Sequence, residues 1–188
     1  MRAFIAIELP TEIKNYLSSI QNKLKAELPK VSWVKLENLH LTLKFLGEIS
    51  PKQFNEIKQI ITEITKGTSE FKIKLESAGV FPNPTVPRLI WIGNNQASTE
   101  LKQLTEQLNK RLAESDIPQD ERIFHAHITI GRIKTRLNSS DLKEALDKTG
   151  GDLVSVNEEF NCKEITLFES TLGPGGPTYK ILEKFKIA

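Results

Sequence analysis

An α+β fold in which one structural unit is used twice is the architecture this sequence predicts, and three observations lead to it. Strand-like and helix-like periods of apolar residues alternate along the chain, so sheets and helices are interspersed. The order helix, alternating strand, helix occurs twice, each first helix ending about a dozen residues before its strand. Each of those strands carries the pattern His-apolar-Thr-apolar, at 40–43 and at 127–130, which sets the two histidines 87 residues apart in a chain of 188. Identity between the halves is slight, so the repeat rests on the order of elements.

Residues 2–9 alternate as a strand, and Pro10-Thr11 opens a helix over 11–28, with Ile13, Leu17, Ile20, Leu24 and Leu28 on one face and Pro29 as its stop. Residues 38–46 alternate strictly and predict a strand stopped by Gly47. Ser50, Pro51 and Gln53 supply a cap, an N1 proline and a capping-box partner for a second helix, carried by Phe54, Ile57, Ile61 and Ile64 to Gly67. Strands at 70–80 and 88–92 flank a proline-rich connection. Ser98 caps a helix bearing Leu101, Leu104, Leu108 and Leu112, and 125–133 predict the second histidine strand. A short helix over about 140–148 and strands near 153–160, 162–170 and 179–187 complete the chain, with Gly-Pro-Gly-Gly-Pro at 173–177 as a turn. The whole, 1–188, reads as a single domain of two pseudo-symmetric halves.

Composition narrows the functional classes. Hydrophobic content of 38% and charged content of 27% describe an ordinary globular chain. No apolar run approaches a membrane span and no signal peptide fits, so the expectation is a cytoplasmic protein without a membrane partner. The single Cys162 leaves no internal disulfide and suits a reducing compartment. A net charge of +2 permits a phosphate-bearing ligand but does not suggest coating of long nucleic acid.

The chemistry lies in the histidines. On a strand, residues two apart share a face, so His40, Thr42 and Lys44 should face away from a core packed by Leu41, Leu43 and Phe45. Ile128 and Ile130 play the same part beneath His127 and Thr129. A polar row on a buried strand costs stability unless it lines a wet groove. Two such strands face to face place two imidazoles across one cavity, which suits in-line attack at phosphorus. One neutral ring takes a proton from water, the other donates to the departing oxygen, and the threonine hydroxyls steady the non-bridging oxygens. Nothing in this scheme requires a metal or another cofactor, and the two motifs are too alike to say which histidine is acid and which base.

The paired His-x-Thr-x motifs, with their surroundings, resemble the two-histidine (2H) phosphoesterase superfamily. They are most similar to its LigT-like branch, the RNA 2′,3′-cyclic phosphodiesterases, also called 2′-5′ RNA ligases. The likeness runs through Arg2 to Ala6, Trp33, Glu37 to Gly47, Gly79 to Pro82, Arg88 to Trp91, Phe124 to Arg132 and Leu167 to Ser170. Leu36 and Ala126 stand where a proline is usual. The resemblance implies a bilobal pseudo-twofold fold, two antiparallel sheets around a central groove with helices outside. It implies hydrolysis of RNA ends carrying a 2′,3′-cyclic phosphate to the 2′-phosphate, with 2′-5′ ligation as the reverse; tRNA fragments, oligonucleotides and small cyclic nucleotides are all candidate substrates, and a monomer is the expected state. It also implies His40 as proton donor and His127 as base. Arg132 aligns with an arginine that in relatives can contact the phosphate, yet ideal parity puts it opposite Thr129, so it needs twist or a bulge to reach the site.

Other readings predict different chemistry. His40, His125 and His127 together form a candidate zinc triad of a metallohydrolase. A non-catalytic module that holds RNA ends or nucleotide phosphates would bind without turnover. His125 alone reads as a structural or rim residue, Trp33 and Trp91 as core, and Lys44 as either a groove residue or a solvated one.

Overall fold

The structure, a computed structural model, describes residues 1–134, 140, 142, 144–145 and 156–188. Most of the helix expected over 140–148, and the start of the strand expected from 153, lie outside the described residues. The elements are β1 (Arg2–Glu8), α1 (Thr11–Glu27), β2 (Val31–Trp33), β3 (His40–Glu48), α2 (Pro51–Lys66), β4 (Phe71–Leu75) and β5 (Ser77–Phe81). They continue with β6 (Leu89–Asn94), α3 (Thr99–Leu112), β7 (Ala126–Ile133), β8 (Glu158–Cys162), β9 (Glu164–Gly173) and β10 (Gly176–Lys186).

Local chemistry starts the helices where the sequence predicts. Ser50 Oγ accepts from the Gln53 backbone N–H while Gln53 Oε1 accepts from the Ser50 backbone N–H, a complete capping box with Pro51 at N1. Ser98 Oγ caps α3 by accepting from the Leu101 N–H. The expected strand 70–80 is two strands, because the chain breaks at Glu76 and changes sheets. Gly47 does not stop β3; at φ +72° it sits inside the strand, paired with Ala3 beside a register shift.

Two four-stranded antiparallel sheets result, in the orders β10-β9-β1-β3 and β2-β7-β6-β5, with β4 and β8 as a separate antiparallel pair. The two sheets share a common plan. β1 and β6 each lead into a helix and each pair with a histidine strand, β3 and β7. The third strand of each sheet is exchanged: β5, from the first half, pairs with β6, and β9, from the second, pairs with β1. The helices cross over as well, α1 packing on β7 and α3 on β3. One hydrophobic core therefore contains Ile5, Ile7, Leu41 and Leu43 of the first sheet and Ile90, Ile92, Ile128 and Ile130 of the second, with the apolar faces of α1, α2 and α3. Among the described residues no helix is long and apolar enough to cross a membrane.

A β-bulge recurs at matching places. In β3 the register runs from Thr42 opposite Ala6 to Lys44 opposite Ile5, leaving Leu43 over; in β7 it runs from Thr129 opposite Trp91 to Gly131 opposite Ile90, leaving Ile130 over. Each bulge falls three residues after the histidine and reverses the parity of the residues that follow it, in β3 as far as a second register shift at Leu46. The expected faces of Lys44 and Phe45 are thereby exchanged: Lys44 is 2% exposed and Phe45 is 67% exposed. The same reversal turns Arg132 onto the face of His127 and Thr129, since its partner Leu89 shares a face with Trp91 and Gly93.

Candidate active site

The two histidines are held by the same local device. His40 Nδ1 lies 2.7 Å from the carbonyl of Asn38, and His127 Nδ1 lies 2.8 Å from the carbonyl of His125, in both cases two residues back along the chain. A carbonyl only accepts, so each ring carries its proton on Nδ1 and leaves Nε2 as the working nitrogen. His40 Nε2 is 2.9 Å from Thr42 Oγ1, whose hydroxyl donates to it when the ring is neutral. Asn38 is itself fastened, its Nδ2 donating to the Pro177 carbonyl at the β9–β10 turn over 2.8 Å.

Aromatic rings fix both imidazoles from the sides. His40 lies against Phe4, with ring centroids 4.9 Å apart, and meets the edge of Tyr179 at 5.2 Å; Phe4 in turn stacks on Phe168. His127 meets Phe81 edge-on at 5.1 Å, and Phe81 stacks on Trp91. Gly79 lies opposite Trp91 and leaves room for that ring, because a Cβ there would come within 2.6 Å of it.

Burial sets the electrostatics. It pushes His40 down from an ordinary value near 6.5 to about 4, and the positive charges of Arg132 and Lys14 and the other imidazole add to the shift. His127 is lowered as well, again chiefly by burial. Both rings are neutral at pH 7 in the unliganded chain, and an arriving phosphate anion favours returning a proton to the pair. The positive charge of Arg132 bears on both His40 and the Tyr179 hydroxyl and acts to lower the pKa of each.

Between β3, α3 and residues 119–125 an open cleft of about 700 Å³ runs from Thr42 on one side to His127 on the other. Phe45, the counterpart of Arg132 after the matching bulge, lies on its wall with Phe124 and Arg122. The cleft flanks the histidine pair on the His127 side, since His40, Thr129 and Arg132 are not among its lining.

His125 lines the same cleft, its ring centroid 6.0 Å from that of His127. Its Nε2 lies 3.2 Å from Asn95 Oδ1 and its ring packs edge-on to Trp91 at 4.6 Å. Among the described residues no three His, Cys, Asp or Glu side chains are arranged to hold a metal ion, so His40, His125 and His127 do not converge as a ligand set. What His125 supplies is its carbonyl, which orients His127.

The residues of the site that sequence reasoning passed over are Phe4, Phe168 and Phe45. Phe4 and Phe168 share the histidine face of the first sheet and form a small cluster with Ala6 apart from the main core. The unbroken apolar run Ala3–Ile7 held that signal, because Phe4 and Ala6 leave the face of β1 opposite Ile5 and Ile7 apolar as well. Phe45 was hidden by the bulge.

Comparison with known proteins places this geometry. The family model for LigT-like phosphoesterase matches the chain twice, over residues 7–91 and 92–179, one match for each histidine motif. A relative in Methanothermobacter thermautotrophicus, named RNA 2′,3′-cyclic phosphodiesterase, is 32% identical over 188 residues, covering 100% of this chain and 99% of its own. A solved structure from Thermus thermophilus superposes with a TM-score of 0.82 at 27% identity, over 100% of this chain and 98% of that one. E. coli LigT complexed with 3′-AMP gives a TM-score of 0.77 at 27% identity, over 99% and 97% of the two chains. With a doubled family match, full-length relatives and a common fold, the chain belongs to the LigT-like phosphoesterase family.

Proposed function

We propose that this chain hydrolyses the 2′,3′-cyclic phosphodiester at RNA ends to a 2′-phosphomonoester, with His40 and His127 as its acid–base pair. The observation that carries the reading is the doubled device: two imidazoles on facing strands, each with Nδ1 tied to a carbonyl and Nε2 left to act. The name of the relative in Methanothermobacter thermautotrophicus and the 3′-AMP in E. coli LigT support the substrate class.

The steps balance without a cofactor. Nε2 of one neutral histidine accepts a proton from water as its oxygen bonds to phosphorus in line with the departing 3′ oxygen. The P–O3′ bond breaks, and the 3′ oxygen takes the proton on Nε2 of the other histidine, leaving the phosphate on the 2′ oxygen. Family resemblance assigns His40 as donor and His127 as base. Thr42 and Thr129 hydroxyls and the Arg132 guanidinium hold the non-bridging oxygens, where charge develops. Phe45 offers an exposed ring on which a base can stack. Exchanged strands and crossed helices leave neither half with a core of its own, which supports a single domain over residues 1–188, and we propose that it acts as a monomer. The setting we propose is the cytoplasm, where the buried Cys162 stays reduced, and the RNA ends include tRNA fragments.

The test is a short oligoribonucleotide ending in 2′,3′-cyclic phosphate, incubated with the protein in EDTA, with the product mapped by position. Conversion to the 2′-phosphate is expected. Turnover that appears only on adding a metal overturns the two-histidine reading, and binding without turnover overturns the hydrolase reading.

A further inference from the structure

Lys44 is the one residue of β3 whose burial the reaction does not explain. Its side chain is 1% exposed, yet it carries a full ammonium into the protein. Lysine is almost never buried unless paired, and here all three of its donors are used: Nζ lies 2.9 Å from Asn109 Oδ1, 2.8 Å from the Pro118 carbonyl and 2.8 Å from Asp120 Oδ2. Asn109 completes the knot, accepting from the Asp120 N–H at 2.7 Å and donating to the Asp120 carbonyl at 3.2 Å. The knot joins the first histidine strand to α3 and to the connection that leads to the second histidine strand. Beyond it Glu121, Arg122 and Ile123 are exposed, and Ile123, at 97%, packs on nothing. The wall of the cleft from Gln119 to Phe124 is thus held at one end by this buried anchor and at the other by Phe124, which packs against the main core. The second half has no such device, because a Cβ at the matching Gly131 would lie 2.8 Å from Val31 Cγ1. Apolar packing of similar volume stabilises a protein as well as a buried ion pair does, so stability alone does not account for the charge.

We propose that Lys44, with Asn109 and Asp120, is a positioning residue that holds the 119–124 wall at the spacing needed to seat the nucleoside of the RNA end beside the reacting phosphate. This rests on the functional reading above. It assigns Lys44 to binding rather than to the chemical step.

The experiment compares Lys44→Met and Asp120→Ala with the unmodified protein in two ways: steady-state hydrolysis of an oligoribonucleotide 2′,3′-cyclic phosphate, and the Kd for 3′-AMP by calorimetry. For Lys44→Met the expected result is a KM and a Kd each raised about 10-fold, with kcat within about twofold, corresponding to the ~1.4 kcal/mol of one decade. Asp120→Ala should shift both in the same direction by about 3-fold, because its carboxylate is 58% exposed and the other two acceptors remain. A fall in kcat with KM unchanged, or no change in either constant, overturns the proposal. If Lys44→Met does not fold, Asp120→Ala decides by the same criteria. Absence of turnover in the unmodified protein counts against the hydrolase reading alone, and the Kd for 3′-AMP still decides the role of Lys44; absence of 3′-AMP binding to the unmodified protein overturns the role itself.

Discussion

β3 and β7 are two versions of one strand, and they agree up to the bulge and diverge beyond it. Both present His-x-Thr to the groove, both tie the histidine Nδ1 to the carbonyl two residues back, and both lose register three residues after the histidine. Past that point the first strand carries buried Lys44 and exposed Phe45, and the second carries Gly131 and Arg132. The bulge of β7 is also locked across the halves. Gln21 of α1 donates from Nε2 to the carbonyl of the bulged Ile130 at 2.8 Å, so the first half satisfies a buried acceptor of the second. The chemistry needs two equal groups on opposite sides of phosphorus, and a duplicated scaffold supplies them. On the function proposed above, its asymmetry goes into recognition, with a guanidinium on one side for the phosphate and an aromatic ring on the other for a base.

The deepest test of the shared part is His40→Ala and His127→Ala. Each should lower kcat/KM by about 100-fold or more, and the double variant should fall little further because the pair acts as a unit. A single variant that keeps normal turnover breaks the equivalence of the strands. With the pair intact, kcat/KM should be bell-shaped in pH with its maximum on the acid side of neutrality. Both histidines are lowered, so the singly protonated pair is most populated between about 4 and the ordinary histidine value near 6.5.

Stability should follow the same shifts. A folded-state value of about 4 for His40 lies below its unfolded value near 6.5, so the unfolded chain takes up the proton first. Stability is then lost as pH falls through that window, on the order of 3 kcal/mol, and levels off below about 4. Urea midpoints measured across the window should show this, and His40→Asn should remove more of the slope than His127→Asn.

Past the bulge the strands should separate. Arg132→Ala should lower kcat/KM by roughly 10- to 100-fold, as loss of a charged hydrogen bond to phosphate does. Phe45→Ala should instead raise KM about 5- to 10-fold with a smaller effect on kcat, in keeping with one lost stacking contact. Equal effects of the two in steady-state kinetics would contradict the division of labour. The residues opposite the histidines should differ most mildly. A Cβ at Gly93, across from His127, would lie 2.0 Å from the Ala126 carbonyl, so Gly93→Ala should cost about 1–3 kcal/mol in chemical denaturation. Across from His40 stands Glu8, in a partly exposed ion pair with Lys184, and Glu8→Ala should cost less than about 1 kcal/mol.

Much of this was legible in residues 1–188. Periodicity and caps placed α1, α2, α3 and the two histidine strands within a few residues, because local capping and amphipathic spacing act at short range. The repeat and the histidine pair were legible because two His-x-Thr motifs fell in the same place in the same order of elements. The faces of Lys44, Phe45 and Arg132 were not, because alternation assumes an unbroken strand and no residue type marks a bulge at Leu43 or Ile130. The break at Glu76 was missed although the alternation of Phe71 to Glu76 slips phase at Ser77, where the chain changes partner from β8 to β6.

By itself the sequence determined which residues are chemically able to act, since the polar row His40-Thr42 and its copy His127-Thr129 sit on otherwise apolar strands whose period is two. Only the tertiary structure decided where those rows meet and what stands beside them. Exchange of β5 and β9 between sheets brings the strands into one molecule-wide core, and the matching bulges then turn Arg132 and Phe45 towards the groove and Lys44 away from it. Strand exchange and register depend on contacts between residues far apart in the chain, and no local preference carries that information.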